Sequence, residues 1–164
     1  MGNYFMKNFE RMIQLAGEVF DAHNDPAQLD VNQDVIAQLH QLHPATVFEF
    51  VDGDGPVIWV ILIPTTSQLM KQFIDEKISE TELLNNTILN QKYDSLYLCS
   101  AMTLQEFRGK GLTKKIILDA IKKIRDDHPI QNLFTWNFSQ EGEMLAESIA
   151  RHEKLPLLKR QRRN

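Results

Sequence analysis

Apolar residues recur along this chain with two periods, and each change of period marks an element. Residues 5–22 carry Phe5, Phe9, Met12, Ile13, Ala16, Val19 and Phe20 at helical spacing, which predicts an amphipathic helix ended by Asn24-Asp25-Pro26. Asn32 to Leu42 predicts a second helix, with Val35, Ile36, Leu39 and Leu42 on one face and His43-Pro44 closing it. The period then falls to two over Thr46 to Val51. A loop, Asp52-Gly53-Asp54-Gly55-Pro56, leads into the apolar run Val57 to Ile63, and together these predict a β-hairpin. Thr66 to Asn86 returns to helical spacing in two pieces broken near Ser79, where Ser79 and Glu82 form a capping-box pattern.

The second half alternates strand and helix. Ser95 to Thr103 predicts a strand, residues 111–125 a helix, Leu133 to Phe138 a strand, and Leu155 to Leu158 a short last strand. Ser139 caps a helix running to about Glu153, with Glu141 and Glu143 in its first turn, where carboxylates favour the positive end of the helix dipole. The order α-α-β-β-α-β-α-β-α-β predicts a mixed α/β sheet, with a hairpin in the first half and a βαβ unit in the second.

At 164 residues the length is that of one domain, 1–164, with 66–90 as a helical insertion and 159–164 as a basic tail. A net charge of −4 argues against a general nucleic-acid binder. The single cysteine, Cys99, excludes an internal disulfide framework and fits a reducing compartment. No apolar stretch reaches the ~18 residues of a membrane span, and the N-terminal residues lack a signal-peptide core. These features place the expected location in the cytoplasm. His23, His40 and His43 have no metal-ligand spacing with Cys99, so no metal site is expected.

The most informative segment is Tyr97 to Ile124. An apolar strand ends in Arg108-Gly109-Lys110-Gly111-Leu112-Thr113, which opens into a helix with Ile116, Ile117, Ala120, Ile121 and Ile124 on one face. A strand, a glycine turn and a helix N-terminus present free backbone N–H groups to one spot and so suit an anion. Glycines at 109 and 111 let the backbone approach closely, while Arg108 and Lys110 add positive charge.

This turn, with the order of elements around it, resembles the acyl-CoA-dependent N-acyltransferases of the GNAT superfamily over roughly residues 46–158. The pyrophosphate loop of that family reads Gln/Arg-x-x-Gly-x-Gly/Ala. Arg108, Gly111 and Thr113 fall on its fixed positions, with Thr113 departing from the small last residue. The resemblance implies a GNAT-like fold, acetyl-CoA as the acyl donor and an amine as acceptor, either a small molecule or a peptide. It implies that residues 109–113 wrap the pyrophosphate, and that Ala101, Met102 and Thr103 pair with the pantetheine arm. Either the Met102 or the Thr103 N–H would polarise the thioester carbonyl. It further implies that the strand containing these residues splays from the next one, and that Asn137 binds a pantetheine amide.

Family members often end the last long helix with Tyr-Glu-Lys-Leu-Gly-Phe, whose tyrosine protonates the departing thiolate. Here the segment reads His152-Glu153-Lys154-Leu155-Pro156-Leu157, which places His152 on the tyrosine position. A histidine can donate a proton near neutral pH; a histidine at a helix C-terminus is also favoured there for its charge alone. Glu49, Tyr97 and Cys99 are candidates for the general base, set against an edge-strand charge for Glu49 and core positions for the other two. Trp59 and Trp136 read as core residues, with Trp136 a candidate to line an acceptor pocket. Lys159, Arg160, Arg162 and Arg163 read as a solvated tail. The 66–90 insertion is expected to cover the acceptor site or to form a homodimer contact. Two alternatives to an enzyme stay open: a catalytically weak CoA-binding or sensing module, and an α/β domain whose glycine turn holds another phosphate ligand.

Overall fold

In the computed structural model, which describes residues 7–20 and 25–161, a five-stranded sheet runs in sequence order β1 to β5. Phe5, His23, Asn24, Arg162 and Arg163 lie outside the described residues. The elements are α1 (Asn8–Phe20), α2 (Gln33–Leu42), β1 (Val47–Asp52), β2 (Gly55–Thr65), α3 (Ser67–Ile74), α4 (Glu80–Asn86), β3 (Ser95–Thr103), α5 (Leu112–Asp127), β4 (Asn132–Trp136), α6 (Gln140–Glu153) and β5 (Leu157–Arg160). A short 3₁₀ turn, Gln105–Phe107, separates β3 from the glycine loop.

The first three strands are antiparallel, and β3, β4 and β5 are parallel. The hairpin forms where the sequence puts it, with Gly53 at φ +69 allowing the tight reversal. Strand β2 is longer than the apolar run because Gly55, Pro56, Pro64 and Thr65 also find partners in β1 or β3. Its Val57, Ile58, Val60, Leu62 and Ile63 are buried, and each such side chain contributes roughly 1.5–3 kcal/mol of burial.

Cross-strand register puts Ile63, Tyr97, Phe134 and Leu158 on one face of the sheet. Phe73 of α3 covers that face, in ring contact with Tyr97, Phe134 and Trp136. The opposite face carries Leu62 and Leu98, which share a cavity wall with Ile117 of α5 and Leu145 of α6. The 66–90 insertion is therefore part of the core: the buried Met70, Phe73, Leu83 and Leu84 all come from it. Its break falls at Ser79, and the capping box with Glu82 is complete.

Two expectations are corrected at the C-terminal end. Strand β4 stops at Trp136, so Asn137 and Phe138 leave the sheet. The last strand lies later than expected and takes in Lys159 and Arg160, which are not a solvated tail. Lys159 bridges Glu143 and Glu147 of α6. Arg160 is buried, stacked at 4.6 Å on Phe73 and 4.4 Å on Trp136, and donates to the carbonyl oxygens of Ile78 and Phe73. The aromatic rings and carbonyls that hold the guanidinium come from segments far away in sequence.

Candidate functional site

Strands β3 and β4 pair only from Ser95↔Asn132 to Leu98↔Thr135. Beyond that point β3 continues to Thr103 while β4 has ended, so the two strands part. A bulge helps to open the gap. Ile61 opposes Ser100 and Leu62 opposes Leu98, which leaves Cys99 as an extra residue in β3. A bulge bends its strand and re-aims the residues beyond it.

An inner cavity of about 80 Å³ occupies this divergence, lined among others by Cys99, Ser100, Ala101, Trp136, Asn137 and Phe138. An outer cavity of about 360 Å³ lies over the glycine loop, lined by Met102, Thr103, Arg108, Gly109, Gly111, Leu112, Thr113 and Lys114, and by Ser139, Glu141 and Gly142 of the α6 start. Val19, Ala101, Ser139, Gly142 and Leu145 line both, so the two spaces adjoin.

The loop has the backbone that the glycines predict. Gly109 and Gly111 sit at φ +76 and +74, and an added Cβ at either would meet nothing within 4 Å. Glycine is therefore set here by backbone conformation and not by crowding. Gly111 caps α5 without a side-chain hydrogen bond, so the first-turn N–H groups have no side-chain cap. Thr113 has a local role: its hydroxyl lies 2.6 Å from that of Thr103, tying the helix start to the end of β3. Arg108 folds back and donates from Nε to the Thr103 carbonyl at 2.8 Å. Lys110 stands over the Phe107 ring and does not line the outer cavity. Lys114, which in sequence looks like an ordinary helix position, does line it.

The register also separates Met102 from Thr103. The Leu104 N–H donates to Val57 O, and hydrogen-bonded pairs alternate along an antiparallel ladder. The pair Trp59↔Met102 is then bonded within the sheet, while Val60↔Ala101 and Ile58↔Thr103 aim their backbone groups away from β2, into the gap. Of the two N–H groups expected to polarise a carbonyl, only that of Thr103 faces the cavity. Asn137 stands on the inner cavity wall, and its Oδ1 accepts from the Thr135 hydroxyl at 2.9 Å.

The two residues expected to do proton chemistry lie elsewhere. His152 is exposed in the last turn of α6 and lines neither cavity. It is separated from Gly142, at the cavity end of the same helix, by about 15 Å of helix length. Glu49 is exposed on the edge strand β1, opposite Trp59, and lines neither cavity. Val51, two residues on and so on the same face of β1, is exposed as well, so this face of the edge strand is not an apolar one.

Tyr97 and Cys99 point to a third residue. The Tyr97 hydroxyl donates to Glu80 Oε2 at 2.6 Å, and the Cys99 thiol approaches the same oxygen at 3.5 Å. Glu80 Oε1 accepts the Leu29 N–H at 2.8 Å. Burial pushes the Glu80 carboxyl up from its ordinary value, while these hydrogen bonds and the charge of Arg160 pull it down. Burial also raises the Tyr97 phenol and the Cys99 thiol well above their usual ranges, and the charge of Glu80 adds to both shifts. The thiol is therefore protonated at neutral pH. Sequence reading missed Glu80 because it looks like an ordinary first-turn acidic residue.

Trp136 is buried on the inner cavity wall, with an indole N–H that has no hydrogen-bond partner. Among the described residues no group of three or more His, Cys, Asp or Glu is placed to hold a metal ion. No helix among them is long and apolar enough to cross a membrane. No protein-family model matches the chain, and no curated protein matches it.

Proposed function

We propose that this chain is an acyl-CoA-dependent N-acyltransferase of GNAT type, acting most simply with acetyl-CoA on an amine. The observation that carries the reading is the parting of β3 and β4 at a bulge, with adjoining cavities that lead from the gap to a positive-φ glycine loop. An extended pantetheine arm needs an unpaired strand edge, and the outward N–H and C=O groups of Ala101 and the N–H of Thr103 supply one. The pyrophosphate then meets the first-turn N–H groups of α5 together with Arg108 and Lys114.

In this reading the thioester carbonyl takes a hydrogen bond from the Thr103 N–H, which steadies the oxyanion that forms on attack. The amine nitrogen bonds to the carbonyl carbon, the C–S bond breaks, and the amine proton ends on the departing thiol. Asn137, oriented by Thr135, holds an amide of the arm.

A second reading, a CoA-binding module without efficient chemistry, is favoured by one observation. Among the described residues, Cys99 is the only titratable side chain on the inner cavity wall, and its thiol is raised by burial. Calorimetric titration with acetyl-CoA, against pantetheine lacking the pyrophosphate, tests the shared premise. Micromolar binding of the first and none of the second is expected. Gly111→Glu is expected to weaken binding by about tenfold or more, through repulsion and a strained left-handed backbone. Thiol release with a panel of primary amines then separates enzyme from binding module. Absence of acetyl-CoA binding overturns both readings.

A further inference from the structure

The inner cavity differs in character from the outer one. Among the described residues, no Asp, Glu, Lys or Arg lines it, whereas Arg108, Lys114 and Glu141 line the outer cavity. Its wall is built mainly from Leu62, Leu98, Ile117, Leu145, Ala146 and Ile149, apolar side chains of β2, β3, α5 and α6. Several polar side chains on the wall are already engaged. The Cys99 thiol turns to Glu80, the Thr135 hydroxyl donates to Asn137 Oδ1, and Ser139 Oγ accepts the Gly142 N–H. An apolar space of this kind takes up hydrocarbon. It does not suit a charged ammonium, because a cation there has no partner.

Its place relative to the donor matters as much as its lining. Ala101 lines both cavities, Thr103 only the outer one, and Cys99 and Ser100 only the inner one. The inner cavity thus continues along β3 away from the glycine loop. The last amide of a pantetheine arm is joined to the sulfur by a two-carbon link, so an amide on Asn137 brings the acyl group to this cavity. Size then limits the chain. An apolar cavity of about 150 Å³ takes up benzene, with its six carbons. A cavity of about 80 Å³ therefore has room for about three carbons. Acetyl places one carbon beyond the carbonyl, butyryl three and octanoyl seven.

We infer that the inner cavity is an acyl pocket that selects a short saturated chain, of about butyryl length, over both acetyl and medium-length chains. The inference rests on the acyl-CoA reading above and names its acyl group. Acetyl-CoA still binds through its arm and pyrophosphate, with the pocket partly empty. The competing account, a packing gap beside the Cys99 bulge, predicts no optimum in chain length.

Calorimetric titration of the wild type, Ala146→Leu and Ile149→Ala with acetyl-, butyryl-, hexanoyl- and octanoyl-CoA tests this, with urea midpoints checking that each variant folds. The wild type is expected to bind butyryl-CoA about tenfold tighter than acetyl-CoA, since each buried methylene is worth roughly fourfold. It is expected to bind octanoyl-CoA more weakly than butyryl-CoA. Ala146→Leu should remove most of the butyryl advantage by filling the pocket, and Ile149→Ala should move the optimum towards hexanoyl by enlarging it. Equal binding of acetyl- and butyryl-CoA by the wild type, affinity that rises steadily through octanoyl, or an undiminished butyryl preference in Ala146→Leu overturns the inference while leaving the acyl-CoA reading intact. Failure of the wild type to bind any of the esters overturns that reading and the inference with it.

Discussion

Glu80 shows most clearly how one side chain depends on its surroundings. Its carboxyl is buried against Tyr97, Cys99 and the Leu29 N–H, and burial is the largest influence on it. Because its folded value is raised above the ordinary 4.5, the folded state holds the proton more tightly than the unfolded chain. Its contribution to stability is therefore full below about pH 4.5 and declines as pH rises through the raised value. Glu80→Gln keeps the shape and can still accept from Leu29. Urea unfolding across this range should show the variant losing less stability than the wild type as pH rises, and parallel curves would refute the account. Glu80→Ala leaves the Tyr97 hydroxyl and the Leu29 N–H unpartnered and should cost about 2–4 kcal/mol.

Among the elements, α1 is attached by identifiable contacts. Met12 is fully buried, and Asn8 donates to the Asp52 carbonyl in the hairpin turn. Arg11 pairs with Glu106, two residues before Arg108 of the loop. That pairing holds the Glu106 carboxyl at about 2, below its ordinary 4.5. A lowered carboxyl contributes above the ordinary value, so this tether is intact above pH 4.5 and is lost as pH falls toward 2. Leu15 and Val19 of α1 line the outer cavity, so the tether also bears on the site. Glu106→Gln is expected to speed amide exchange in α1 at neutral pH and leave exchange in β2 and β3 unchanged. Equal protection of α1 in both proteins would show that the apolar contacts suffice.

Knots of the same kind join other elements. The C-cap residues of α2 and α5 are His43 and His128, with rings 5.9 Å apart, and His43 Nε2 lies 2.6 Å from the Asp127 carboxylate. The His43 Nδ1 accepts the Ala45 N–H, which leaves the ring proton on Nε2, facing Asp127. Burial lowers the His128 value, so its neutral form favours the fold above pH 6.5 and that advantage fades below it.

For the whole molecule, the decisive feature is a sheet that closes at one end and opens at the other. The closed end is stitched by Leu96↔Leu133 and Tyr97↔Phe134, and the open end begins at the Cys99 bulge. Ala101 lines both cavities, so a large side chain there fills the passage without touching the closed end. Ala101→Phe is expected to weaken acetyl-CoA binding by about tenfold or more while retaining the wild-type urea midpoint. Undiminished binding would remove the gap between β3 and β4 from the proposed site.

Periodicity and turn chemistry determined much by themselves. They set the order of helices and strands, the hairpin, the Ser79 and Ser139 caps, and the glycine loop opening α5, because these depend on neighbours within a few residues. Tertiary structure decided the rest. It buried Glu80 and Arg160, committed the Met102 N–H and freed that of Thr103, left His152 and Glu49 outside both cavities, and brought the start of α6 to the same cavity as Arg108 and Lys114. Each of these depends on strand register or on packing between segments tens of residues apart. A one-residue bulge or an early strand end changes which groups meet without leaving a local mark in the sequence.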